Sequence, residues 1–335
     1  MSVTEKTELK LRLSPKLSPK RESGLDVASL WDRYGILAVL LLLVALMSVI
    51  APNFLSLNNG LNVARAVSIN AILAAGMTIV ILTGGIDLSV GSVVALTGVS
   101  SVLLWTAGSP AIVAVIGGIL VGAIAGLING TLIAYLGLPA FIITLGALTY
   151  IRGFSYSLTD AQPLIASDLG YRGLGNGAVA GIPTPVVIML LVYLVLWFVL
   201  ERTSFGRHIY AIGGNREAAR LAGIKVKWTL VRVYLIMGAC AGLAGVIFSA
   251  RVESGQPKAG EGYELDAIAA VVLGGTALAG GRGRIYGTLV GALIIGVLSN
   301  GLVLMNVPFF YQLIVKGAVI VLAVGIDGLK NLKRN

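Results

Sequence analysis

The sequence predicts an all-α membrane protein of about ten helices in one bundle. Of its 335 residues, 57% are apolar and only 12% are charged, and the mean hydropathy is +0.93. A soluble domain is nearer half apolar and a quarter charged, so this composition is typical of membrane proteins. Apolar segments close to the length that spans a bilayer recur along the whole chain. They lie at residues 35–51, 63–82, 90–107, 111–136, 140–158, 184–200, 229–250, 264–280, 285–305 and 309–326.

The basic residues predict how these segments are oriented. With the N-terminus inside and ten crossings, 18 Lys and Arg residues fall in the inside segments and three in the outside segments. Cytoplasmic segments carry such an excess, so both termini are expected in the cytoplasm. The net charge of +10 is therefore assigned to membrane orientation, and no nucleic-acid partner is expected. The predicted regions are a flexible cytoplasmic tail (1–33), a transmembrane domain (34–326) with a cytoplasmic loop (201–228), and a second cytoplasmic tail (327–335).

Glycine spacing predicts how the helices pack. Small residues at every fourth position form one stripe on a helix and let two backbones approach closely in lipid. Such stripes occur in the fourth, seventh and ninth segments. The stripes consist of Gly118, Gly122, Gly126 and Gly130 in the fourth segment, Gly238 and Gly242 in the seventh, and Gly287 and Gly291 in the ninth.

The segments at 63–82 and 140–158 contain enough polar residues to be broken or re-entrant helices.

A glycine-rich turn is predicted between the second and third segments. Gly84 and Gly85 permit a sharp reversal, and Gly91 follows at the start of the third segment. Asp87 is placed to cap the third helix by accepting hydrogen bonds from its free N–H groups. A second glycine-rich turn, residues 273–283, is predicted on the same side of the membrane, between the eighth and ninth segments.

The loop at 201–228 contains the signals of a short helix over about residues 216–222. Asn215 is a good N-cap, Glu217 favours the first turn, and Gly223 can end the helix in a left-handed conformation. Two turns are marginal alone in water, so this helix is expected to be held by its own bundle or by another protein. Ala218, Leu221 and Ala222 share one face, and Arg216 and Arg220 share another.

A few polar residues lie within the apolar segments. Lys316 falls near the middle of the last segment, where an ammonium group requires a partner or a wet cavity. Asn70, Asn129, Thr144, Asn300 and Gln312 complete a set that either lines a translocation path or forms hydrogen bonds between helices. The acidic residues Asp87, Glu264, Asp266 and Asp327 all fall at predicted helix ends.

Several catalytic and binding motifs are absent from the sequence. Without any Gly-Lys pair, the chain has no phosphate-binding G-x-x-x-x-G-K-[ST] loop, so no nucleotide is expected to bind it. One histidine, His208, and one cysteine, Cys240, exclude an ordinary zinc cluster. No catalytic residue, metal or cofactor is predicted, and the chain is not expected to be an enzyme.

Three stretches resemble the permease subunits of bacterial ribose-type sugar ABC importers. They are GMTIVILTGGIDLSVGSVVALTG (76–98), GRHIYAIGGNREAARLAGIKV (206–226) and GYELDAIAAVVLGGTALAGGRGRIYGTLVGALI (262–294). The resemblance runs from about residue 35 to residue 326. It implies a multi-pass protein of the bacterial inner membrane that translocates ribose or a similar monosaccharide.

The resemblance also implies partners and a coupling element. The expected assembly is a homodimer with two cytoplasmic ATPase subunits, which bind ATP and Mg²⁺, and an extracytoplasmic sugar-binding protein. The element that docks on the ATPase in this family matches Gly213, Gly214, Asn215, Arg216, Glu217, Ala218, Arg220 and Leu221.

Other functions remain open from the sequence alone. One is an ABC permease for another small solute such as a branched-chain amino acid, because branched-chain amino-acid permeases are more distant relatives of this family. A cation-coupled secondary transporter is the alternative of a different class, and it requires titratable carboxylates near the middle of the membrane. A membrane-embedded enzyme is a third alternative, but the sequence contains no recognisable catalytic cluster.

Overall fold

A computed structural model describes residues 27–332, and it describes side chains for residues 35–319 and for 321, 322 and 325. The described residues from Ile36 onward form one compact unit, to which the following description applies. Most of the predicted tail at 1–33, and the last three residues, lie outside the described part of the chain. The described helices are α1 (Val27–Ile50), α2 (Leu57–Leu82), α3 (Val90–Thr106), α4 (Ala111–Tyr135), α5 (Ala140–Ser157), α6 (Gly173–Asn176), α7 (Thr184–Arg202), α8 (Ser204–Gly214), α9 (Arg216–Leu221), α10 (Val226–Val252), α11 (Tyr263–Leu273), α12 (Ile285–Leu304) and α13 (Phe309–Leu332).

Each of the ten predicted apolar segments overlaps one of these helices. Among the described residues, five helices are long and apolar enough to cross a membrane, namely α2, α4, α7, α10 and α12. Shorter apolar stretches lie in α1, α3 and α13. The protein is therefore an all-α membrane protein. Residues 27–33 belong to α1 and residues 327–332 to α13, so both helices extend into the predicted tails.

Helix α2 occupies the centre of the bundle. In its most apolar window, 83% of the residues are buried, against 28% in α4 and in α7, which lie at the periphery. Hydrogen bonds tie α2 to two neighbours: Tyr193 Oη of α7 donates to the Ala71 carbonyl (3.1 Å), and the hydroxyls of Thr78 and Thr288 of α12 are 2.8 Å apart. The prediction that segments 63–82 and 140–158 are broken is wrong, because α2 and α5 are continuous helices.

The predicted glycine stripes are confirmed as contacts between helices. A Cβ added to Gly122 or Gly126 of α4 would clash with the backbone of α10, and one added to Gly238 would clash with the Gly122 carbonyl. A Cβ on Gly291 of α12 would likewise clash with the Ala270 carbonyl of α11, and one on Gly287 with the carbonyl of Gly274, directly after α11. At these positions only glycine allows the observed backbone distance.

The eighth predicted segment is the main correction. Helix α11 ends at Leu273 and not at residue 280, because Gly275 adopts a left-handed backbone conformation that turns the chain out of the helix. Its 11 residues span only about 16 Å, too short to cross about 30 Å of hydrocarbon.

The segment before α11 consists of turns and lies along α3. Gly255 packs against Val99 of α3, and Gly260 packs against Gly91, eight residues nearer the start of that helix. The chain after α10 therefore runs back along α3 for about 12 Å before α11 begins. Arg152 of α5 holds this segment by donating to the carbonyls of Pro257 (2.8 Å) and Ala259 (2.7 Å).

Two short antiparallel strand pairs lie in the loops. Strand β1 (Leu164–Ile165) pairs with β4 (Ser254–Gly255), with Leu164 opposite Gly255. Strand β2 (Ala178–Val179) pairs with β3 (Ile182–Pro183). The β1–β4 pair joins the loop after α5 to the loop after α10, which the sequence places on the same side of the membrane.

Candidate functional site

The glycine turn before α3 is closed by a buried carboxylate. Gly84 is left-handed (φ 77°), and Asp87 Oδ1 accepts hydrogen bonds from the backbone N (2.9 Å) and the hydroxyl (2.6 Å) of Ser89. Ser89 itself is the N-cap residue, so the prediction that Asp87 caps α3 is wrong: the carboxylate closes the turn before the helix. Burial raises the pKa of Asp87, while the two hydrogen bonds from Ser89 act in the opposite direction.

The loop after α7 meets both glycine turns at one place, which we call the loop junction. Gly281 N donates to the Leu82 carbonyl (2.9 Å), and so joins the turn after α11 to the end of α2. A Cβ on Gly213 of α8 would clash with both of these groups, so the end of α8 lies directly against the two turns. Tyr210 of α8 donates from its hydroxyl to the Gly283 carbonyl (3.0 Å).

The close packing at the loop junction leaves little room for independent movement. Left-handed Gly280 lies against Gly84, and left-handed Gly281 lies against Gly214, with distances of about 3 Å from a built Cβ to the neighbouring backbone. Contacts this close between backbones shift only if the whole turn shifts. The end of α8 is therefore in direct contact with the end of α2 and with the turn that precedes α12.

Helix α9 extends from this junction, and the predicted short helix with Asn215 as its N-cap and Gly223 at its end is confirmed. Asn215 Oδ1 accepts from Ala218 N (2.9 Å), and Gly223 has a φ of 82°. The exposed Arg220 and Glu217 form an ion pair of 2.9 Å, which contributes little stability because both groups are solvated.

One alanine anchors α9 to the bundle. Ala219 is buried in a small cluster with Ala134 of α4, Ile212 of α8, and Val226 and Leu230 of α10. The face predicted from Ala218, Leu221 and Ala222 points away from this cluster and is exposed, and Leu221 is 80% exposed. The helix thus presents an apolar side chain that the described chain does not cover.

The polar residues predicted within the bundle lie in several different places. Asn129 Nδ2 donates to Ser89 Oγ (3.0 Å), and Thr144 Oγ1 donates to the Ile86 carbonyl (3.3 Å), so both contact the turn before α3. The other residues bond elsewhere. Asn300 exchanges two hydrogen bonds with Asn59, Gln312 donates to the Val307 carbonyl, and the buried Asn70 Oδ1 has no partner within the described structure.

Lys316 was expected to need a partner, and the structure shows that this partner is Asp266. Lys316 Nζ of α13 lies 2.9 Å from Asp266 Oδ2 in the first turn of α11, and the two side chains are 22% and 7% exposed. The pairing compensates the cost of an ammonium group at membrane depth. Both residues were recognised in the sequence, but nothing in the sequence linked them across 50 positions.

Within the described residues, no three His, Cys, Asp or Glu side chains are grouped so as to hold a metal ion. Cys240 is buried among apolar residues of α10 and its neighbours.

Comparison with known proteins identifies the class to which this fold belongs. The family described as "Branched-chain amino acid transport system / permease component" matches residues 59–324. The chain belongs to this family, and it is a multi-pass protein of the bacterial inner membrane.

Individual relatives are similar over nearly their whole length. The ribose import permease protein RbsC of Escherichia coli (strain K12) is 49% identical over 300 residues, which are 88% of this chain and 93% of the relative. The D-allose transport system permease protein AlsC of the same organism is 41% identical over 316 residues (94% and 97%). The L-arabinose ABC transporter permease protein AraH of Azospirillum brasilense is 37% identical over 318 residues (95% and 94%). All three are named as permeases and none as an enzyme. No solved structure is significantly similar to the chain.

Proposed function

We propose that this chain is the membrane-spanning permease subunit of an ATP-binding-cassette importer for ribose or a similar monosaccharide. The observation that supports the sugar most directly is the 49% identity to a ribose import permease over 88% of the chain. Relatives named for allose and arabinose are less similar, at 41% and 37%.

The proposed assembly is a homodimer of this chain with two cytoplasmic ATPase subunits and an extracytoplasmic sugar-binding protein. The permease itself binds no ATP, Mg²⁺ or other cofactor in this proposal. Exposed Leu221 on α9 and the close contacts of the loop junction support a coupling role. A force applied to α9 would pass through α8 to α2 and α12.

Reconstitution in liposomes tests this function. With its ATPase subunits and its loaded binding protein, the chain should accumulate ribose and hydrolyse ATP, and allose and arabinose should compete less well. Alone, it should do neither. Uphill uptake by the chain alone, driven by a proton or sodium gradient, would instead identify a cation-coupled secondary transporter.

The proposed orientation has ten crossings and both termini in the cytoplasm. Loops that the proposal places on one side contact each other, as at the loop junction and between β1 and β4. In a Cys240→Ser background, cysteines at the exposed positions Asp168 and Arg172 should react with an impermeant reagent outside intact cells. Cysteines at Arg220 and Arg282 should react only after the membrane is opened. Labelling of Arg220 from outside would contradict the orientation.

A further inference from the structure

A cavity of about 370 Å³ lies where α4 ends and α10 begins, beside α9. Its lining combines three basic residues with two aromatic residues and contains no acidic residue. The lining consists of Tyr135, Arg220, Lys225, Val226, Lys227 and Trp228.

Most of the positive charge at this cavity has no acidic partner. Arg220 is paired with Glu217, but Lys225 and Lys227 take part in neither of the two ion pairs found between described residues. Lys227 Nζ lies 5.4 Å from the centre of the Tyr135 ring, and the guanidinium of Arg232 lies 4.9 Å from the Trp228 ring. These contacts orient the cations at the rim without neutralising them.

The position of the cavity is at a membrane boundary. Tyr135 is the last residue of one membrane-spanning helix, and Val226 is the first residue of another. Tyrosine and tryptophan are the residues that favour the headgroup level, and Trp228 is 47% exposed. Arg232 is exposed one turn further along α10, on the same side as Trp228.

We propose that this cavity binds the phosphate headgroup of an anionic phospholipid. Lys225 and Lys227 of the lining would contact the phosphate, Arg232 would add positive charge from its place on the Trp228 ring, and the rings of Tyr135 and Trp228 would pack against the glycerol and upper acyl carbons. Basic pockets between transmembrane helices recognise anionic lipids by this chemistry. A lipid is favoured over a soluble anion because the aromatic walls supply apolar surface that a free phosphate cannot use.

The bound lipid would also lie next to the coupling element. Val226 of the lining and Ala219 of α9 belong to the same buried cluster, so an occupied cavity would fix the base of α9. The lipid belongs to the cytoplasmic leaflet in the proposed orientation, but the binding itself does not depend on transport activity.

The test measures lipid binding by the full chain, purified in an uncharged detergent, with native mass spectrometry. The probes are phosphatidylglycerol, phosphatidylcholine with the same acyl chains, and inorganic phosphate. The variant Lys225→Gln/Lys227→Gln/Arg232→Gln should bind phosphatidylglycerol at least roughly tenfold more weakly than the unmodified chain. The matched control is Arg202→Gln/Arg207→Gln/Arg282→Gln, which removes three exposed positive charges elsewhere and should bind normally.

Each probe also has an outcome that overturns the proposal. Equal binding of phosphatidylcholine and phosphatidylglycerol would contradict the proposed headgroup site. Unchanged phosphatidylglycerol binding in the Lys225→Gln/Lys227→Gln/Arg232→Gln variant would contradict it as well. Full competition by inorganic phosphate would identify a soluble-anion site instead. Loss of the lipid when ATPase subunits are added would assign the surface to a protein interface. A melting temperature for both variants equal to that of the unmodified chain excludes a folding defect as the cause of weaker binding.

Discussion

The α4–α10 interface and helix α9 are held to the same bundle in opposite ways. The interface consists of two long helices whose glycines place the backbones in direct contact over several turns. Helix α9 has six residues, and only Ala219 among them is buried. We therefore expect the interface to contribute more to the stability of the bundle than α9, and we expect the exposed residues of α9 to be available for contacts that differ between conformational states. Such differential contacts are what a coupling element requires.

The largest effect is expected from breaking the ion pair inside the bundle. Asp266→Leu would leave the partly buried Lys316 without its counter-charge, and we expect it to destabilise the protein by about 3 kcal/mol, the lower end of the range for a buried pair because Lys316 is 22% exposed. The double variant Asp266→Leu/Lys316→Met replaces both charges with apolar side chains of similar size, and it should recover most of the loss. Thermal unfolding in detergent measures both. A double variant as unstable as Asp266→Leu would show that the pair is not coupled as the 2.9 Å contact indicates.

A smaller loss is expected at the α4–α10 interface. Gly238→Ala adds a methyl group that clashes with the Gly122 carbonyl, so we expect a cost of about 1–3 kcal/mol. The cost would appear even though alanine favours a helix over glycine by about 1 kcal/mol. Gly146→Ala is the matched control, because a Cβ on Gly146 of α5 meets nothing within 4 Å. Equal melting temperatures for the two variants would contradict the close contact.

These regions also differ in how far the sequence could predict them. The glycine stripes and α9 depend on local spacing and capping, which one sequence contains, and both were predicted correctly. The end of α11 was misplaced because Ala277, Leu278 and Ala279 continue the apolar run after the chain has turned at Gly275. Hydropathy measures apolar content and not backbone direction, so it could not distinguish a continuing helix from an apolar turn.

Contacts between distant residues were not predictable from one sequence. The loop junction joins Leu82, Gly213 and Gly281, and each glycine alone is compatible with an ordinary turn. A break was expected in the second or fifth segment, where polar residues interrupt the pattern. The interruption lies in the eighth segment, which turns at Gly275, and Arg152 of α5 binds the carbonyls of Pro257 and Ala259 just before α11. The six polar residues predicted for a translocation path stay a prediction.

The smallest effect on stability, and the most informative effect on function, is expected in α9. Leu221→Asp changes a side chain that is 80% exposed, and Glu217→Arg changes an exposed ion pair. Surface changes of this kind typically alter stability by no more than about 0.5 kcal/mol. Both variants should therefore insert, assemble and melt like the unmodified chain.

Coupling should nevertheless fail in both α9 variants. Leu221→Asp places a charge on the apolar docking face, and Glu217→Arg reverses the charge beside it, so substrate-stimulated ATP hydrolysis and sugar transport should be lost. The measurement is ATPase activity of the reconstituted complex with and without loaded binding protein, together with the yield of assembled complex. Ala211→Asp, at an exposed position of α8, introduces the same charge on the same loop and should retain stimulation. Full stimulation in both α9 variants would place the coupling contact elsewhere on this side of the bundle, with the turn at 281–284 as the next segment to test, because it packs against the end of α8.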